Sequence, residues 1–152
     1  MDKKRYVLFL FTLLMIFAFI SCKKEPSSIF GKMHRSLEKI ESISEKLASS
    51  DAIIANYDVM KNAIENFHAN VKEFGNLSIQ NLKKLEKDNK QEVEDFSKYL
   101  NKLLDEQSNN FVSNMKRIGS ANLEGQKLRN GFFEVIYLFT KSRLGKSAQA
   151  TR

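Results

Sequence analysis

Apolar residues recur along the chain at the spacing of a helix rather than a strand. Ile53, Tyr57, Met60, Ile64, Phe67, Val71 and Phe74 follow one another in alternating steps of four and three, which puts them on one narrow stripe of a single amphipathic helix. Asp51, after Ser49 and Ser50, can accept amide protons at its start, and Gly75 with Asn76 can supply the left-handed turn that closes it. Phe30, Met33, Leu37, Ile40, Ile43 and Leu47 form a second stripe upstream. From Leu47 to Ile53 is six residues where a heptad needs seven, and capping-type residues coincide with the slip. The spacing predicts a turn over residues 48–51, with one bent helix as the alternative.

Leu77, Leu82 and Leu85 lead into a polar stretch at 86–92, either a solvated helix surface or a break at Asp88 and Asn89, with Gln91 and Glu92 where a capping box would put them. The stripe returns as Val93, Phe96, Leu100, Leu103, Leu104, Phe111, Met115 and Ile118. Gly119, Gly125 and Gly131 loosen the next segment, and residues 132–139 (FFEVIYLF) are the most apolar run beyond residue 22. Eight residues cannot span a bilayer, so this run predicts a last helix packed into a bundle. Where its face stays uncovered, Phe132, Phe133, Ile136 and Phe139 would make an interaction surface. Lys141, Arg143 and Lys146 come next, where cations favour a helix's carboxyl end, before a flexible tail at 145–152.

Helices in water owe most of their stability to burying one face, so the stripes need partners. The expectation is an all-α fold, a bundle of three to five helices over residues 29–144. An elongated coiled coil between chains is the alternative; its heptads should persist over three or four repeats, and only residues 53–74 come close.

The amino terminus has a different character. Residues 6–20 (YVLFLFTLLMIFAFI) carry no charge and follow Lys3, Lys4 and Arg5. Fifteen residues fall short of the roughly 20 that cross a hydrocarbon core of about 30 Å, which predicts a cleaved leader. Cys22 is the only cysteine, directly after Ser21. The string Phe19-Ile20-Ser21-Cys22 resembles the lipobox of bacterial lipoprotein signal peptides: a basic start, an apolar run, a small residue and then the cysteine that becomes the lipidated first residue. Phe19 departs from the usual Leu, as in the relaxed boxes of some spirochaete and Bacteroidota lipoproteins. The resemblance implies that residues 1–21 are a signal peptide and that Cys22 carries a thioether-linked diacylglycerol, with a further acyl chain on the freed amine. Each buried methylene contributes about 0.8 kcal/mol, so two or three chains hold a protein durably on a bilayer. Residues 22–28 are then the lipidated cysteine and a polar tether, in which Pro26 discourages a helix. In enteric bacteria an Asp after the cysteine retains a lipoprotein at the inner membrane; Lys23 is no such signal, which favours the outer membrane.

The 152 residues hold 25 Lys+Arg and 18 Asp+Glu, a net charge of +7 that falls to +5 once the leader takes Asp2, Lys3, Lys4 and Arg5 with it. Lys83, Lys84, Lys87 and Lys90 are the densest basic patch, but Glu86, Asp88 and Glu92 alternate with them. With no reading motif and an envelope location, no nucleic-acid partner is expected, and attraction to anionic lipid or polyanionic envelope sugars fits better. One cysteine excludes a disulfide scaffold. His34, with Glu38 a turn on, and His68, beside Lys72, stand outside any metal-ligand spacing, and neither a nucleophile elbow nor a phosphate loop is present. Catalysis, metal and cofactor are therefore not expected. The reading is a lipid-anchored bacterial cell-envelope protein, its partners the membrane through the lipid on Cys22 and another protein, with a helical domain for interaction or a structural role. One alternative is a helical carrier whose apolar cavity, lined by Phe96, Phe111, Phe132, Phe133 and Phe139, holds a small ligand. Another is a surface-exposed antigen or adhesin.

Overall fold

The structure, a computed structural model, describes residues 28–105, 107 and 109–150; Cys22 and the leader lie outside them. The described residues form α1 (Ile29–Lys46), α2 (Ser50–Ala55), α3 (Tyr57–Asn76), α4 (Ile79–Asp88), α5 (Lys90–Leu104), α6 (Phe111–Ala121) and α7 (Leu123–Ala150), with no strand among them. The fold is all-α, as the stripes require. Five of these helices carry the stripes, and two short ones, α2 and α4, lie at opposite ends.

Short polar side chains at the breaks set the segmentation. Ser28 caps α1, its Oγ accepting from Gly31 N at 3.3 Å, and Ser49 caps α2 by accepting from Ala52 N at 3.2 Å. The turn falls where the stripe slips, but its cap is Ser49 rather than Asp51. Asn56 then divides the expected single helix: its backbone leaves helical geometry at φ −114° and ψ 13°, and its Nδ2 joins its own N–H in donating to Ala52 O, at 2.9 Å. Asn89 ends α4 in the same way, donating to Leu85 O at 3.1 Å. The apolar seam survives the first break, because Ile53, Met60 and Phe67 are fully buried on both sides of it.

The glycines behave differently from the sequence expectation. No described residue has positive φ. Helix α3 runs through Gly75 to Asn76 and closes at extended Leu77. Helix α7 likewise runs through Gly125, Gly131 and Gly145 and continues across the expected tail as far as Ala150. Asn122 starts α7, its Oδ1 accepting from Gly125 N at 2.8 Å. Gly125 is required by a close approach: a Cβ there would overlap the Ile118 carbonyl oxygen at the end of α6.

Ring pairs give the directions. Phe30 meets Phe74 at 5.7 Å between centroids, so α1 and α3 are antiparallel. Phe67 meets Phe132 at 6.5 Å and Phe74 meets Phe139 at 5.3 Å, so α7 runs parallel to α3. Helices α5 and α6 succeed one another along α1, since Glu41 of α1 accepts from both Tyr99 and Asn109, and Arg117 reaches Leu47 O at 2.7 Å. The result is a four-column bundle with a near end, where Ser28 enters, and a far end, where Ser50 Oγ donates to Ala121 O at 3.4 Å. The core runs from Phe30, Phe74 and Phe96 through Phe67 and Phe132 to Leu47 and Ile118.

Candidate functional site

The near end is built around Ser28, the first described residue. Ser28 is buried, and its backbone N–H donates to Glu92 Oε2 at 3.0 Å while its hydroxyl donates to the same oxygen. The chain arriving from Cys22 is thus gripped by the first turn of α5. Five residues separate Cys22 from Ser28, a reach of at most about 20 Å.

A cleft of about 190 Å³ opens beside this grip, floored by Phe30, Phe74, Phe96 and Phe139 and walled by Ile79 and Leu82 of α4. Lys83, Arg143 and Lys146 stand on its rim with Glu86. Lys146 donates to Leu77 O at the end of α3 and lies 6.0 Å over the Phe74 ring. A cation is favourable there twice, at a helix carboxyl end and on an aromatic face.

A second cleft, about 220 Å³, lies between α3 and α7, lined by Tyr57, Lys61, His68, Lys127, Gly131 and Glu134 among others. His68 is half-buried rather than solvated, and its enclosed Nε2 has no hydrogen-bond partner among the described residues. Lys61 is 3.8 Å from Glu65. The third polar place joins α1 to the α5–α6 junction. The Glu41 carboxylate accepts from the Tyr99 hydroxyl and, at 2.9 Å, from Asn109 Nδ2. His34 packs 4.5 Å from the Tyr99 ring, with its Nε2 3.9 Å from Glu38. Burial, and then the Glu41 carboxylate, push the Tyr99 phenol well above its ordinary range. It is a locked hydrogen-bond donor rather than a base.

The expected interaction surface on α7 is divided by the fold. Phe132 and Phe139 are core residues, and Phe133 and Ile136 pack half-buried against that core. The physical reason is that α7 has α3 on one side and α6 on another: Phe132 packs against both Phe67 and Phe111, the latter at 5.1 Å. The large apolar side chains left in solvent are Ile54, Val59, Leu123, Tyr137 and Leu144, between 50% and 65% exposed. Ile54 and Leu123 both lie within one helical turn of the far-end contact in which Asn122 Nδ2 donates to Ser50 O at 3.3 Å.

Of the five rings expected to line a ligand cavity, Phe96 and Phe139 floor the near-end cleft; the rings also meet edge-on, Phe96 with Phe139 at 5.5 Å, Phe111 with Phe132, and Phe132 with Phe133 at 5.4 Å. Among the described residues no group of three or more His, Cys, Asp or Glu is placed to hold a metal ion. No described helix is long and apolar enough to cross a membrane.

The fold defines the class, an all-α bundle of one chain. No protein-family model matches the sequence, and no curated protein or solved structure matches it. The functional reading therefore rests on the residues themselves.

Proposed function

We propose that the chain is a lipid-anchored bacterial cell-envelope protein, held through acyl chains on Cys22 at the outer membrane, whose helical domain binds another protein or plays a structural part. The observation that carries this reading is the polarity of the bundle: Ser28, where the described chain begins, and the cleft with its cationic rim are at the near end, and exposed Ile54 and Leu123 lie at the far end. An anchor at one end leaves the other free to meet a partner, and uncovered apolar side chains are what such contacts bury. Phe111, Phe132 and Phe133 pack edge-on against one another, which weighs against a carrier with an internal ligand. Metabolic labelling with radioactive palmitate tests the anchor. Label on the wild-type protein that disappears in Cys22→Ala supports it, and equal label on both removes it.

A further inference from the structure

The near end carries more than the tether. Its cleft has an apolar aromatic floor and a rim on which Lys83 and Arg143 are exposed, against one lining carboxylate, Glu86. Lys146 is already committed to Leu77 O and the Phe74 ring, so it adds field rather than reach. Helix α4, which forms one wall, is seated by buried Leu82 with Ile79 and Leu85 half-buried, and presents Lys83, Lys84 and Lys87 to solvent. The apolar face of α4 is taken up by the bundle, so what the helix offers a membrane surface is charge, Lys83, Lys84 and Lys87 against Glu86 and Asp88. About 190 Å³ is below the roughly 300–1,000 Å³ of a small-molecule site, so the cleft suits the end of an amphiphile rather than a whole metabolite.

Cations above an apolar floor complement an anionic head joined to an acyl chain. We propose that this cleft is the membrane-facing contact of the bundle and takes the headgroup and uppermost acyl carbons of an anionic phospholipid. The inference rests on the anchored reading for its geometry: a five-residue tether pinned at Ser28 holds the near end over the bilayer surface and turns Ile54 and Leu123 away from it. Lys83 and Arg143 then lie among the headgroups, where each cation strengthens binding about fivefold.

The chain from residue 22 with Cys22→Ser keeps the whole described core and has no acylation site, so its binding to vesicles reads the cleft and not the anchor. It should sediment with phosphatidylcholine vesicles containing phosphatidylglycerol and stay in solution with phosphatidylcholine alone. About 0.5 M salt should release it. The added pair Lys83→Glu and Arg143→Glu should weaken binding by about 25-fold or more, since two attractions are lost and become repulsions. Lys61→Glu with Lys127→Glu, the same charge change at the α3–α7 cleft, should leave binding within about twofold. Melting curves check that both double variants fold. Equal binding to the two kinds of vesicle, equal losses from the two double variants, or binding of free oleate without any preference for phosphatidylglycerol vesicles would each overturn the proposal. Palmitate labelling of the Cys22 protein reads the anchor separately, so either idea can fail while the other stands.

Discussion

Gly125 and Gly145 are the same residue in the same helix, and they predict opposite responses to one methyl group. A Cβ at Gly125 would overlap the Ile118 carbonyl, which belongs to backbone and cannot swing aside; Gly145 has nothing within 4 Å. Gly125→Ala should cost about 1–3 kcal/mol as overpacking, whereas Gly145→Ala should stabilise by about 0.5–1 kcal/mol through helix propensity. Urea midpoints measure both, and loss of stability in both variants would refute the distinction. The sequence treats these glycines alike, because the conflict at 125 comes from another helix and leaves no local mark. Tyr99 is a second residue whose behaviour is set by distant partners, Glu41 and His34. A phenol whose folded pKa is raised stabilises the fold fully below its unfolded value near 10. That stabilisation is lost as the pH climbs from there toward the folded value. Phenolate absorbance should therefore show Tyr99 ionising only as helicity is lost at alkaline pH. Tyr99→Phe should remove that step and cost about 1.5–3 kcal/mol at neutral pH, the worth of a hydrogen bond to a charged acceptor. Ionisation of Tyr99 in the intact fold would contradict the burial.

Among the elements, the helix stripes were legible and the breaks only partly so. Leu128, Phe132, Val135 and Phe139 are buried at steps of four, three and four, a register present in the sequence but hidden by the uniform apolarity of residues 132–139. Asn56 and Asn89 end helices by the same side-chain bond, yet only the second lies in a polar stretch that advertises a break. The carboxyl ends of α1 and α3 are completed by cations from far along the chain, Arg117 on Leu47 O and Lys146 on Leu77 O. Sequence position alone assigns Lys146 to the end of its own helix; it serves another. Arg117→Ala and Lys146→Ala should each lower stability by about 1 kcal/mol, given the worth of such contacts at helix ends. In thermal melts, Lys146→Arg should recover most of its loss, and an unchanged melt in both alanine variants would show these contacts to be incidental.

For the whole molecule, the amphipathic seams fixed the fold class because a helical bundle is how one chain can bury them. Which face of α7 stayed uncovered was not legible, since it depends on α6 and α3 flanking that helix. The same limit applied to the cleft: Phe30, Phe74, Phe96 and Phe139 are up to 109 residues apart in sequence and converge only once α1, α3, α5 and α7 are packed. The address of the protein was read from a single thiol after an apolar leader, in a segment that lies outside the described residues. Mass spectrometry of the amino-terminal peptide, from protein purified out of its native membrane, tests that address most directly. The account predicts a mature chain beginning at Cys22 and carrying two or three acyl chains; a chain that keeps residues 1–21, or starts with an unmodified cysteine, contradicts it.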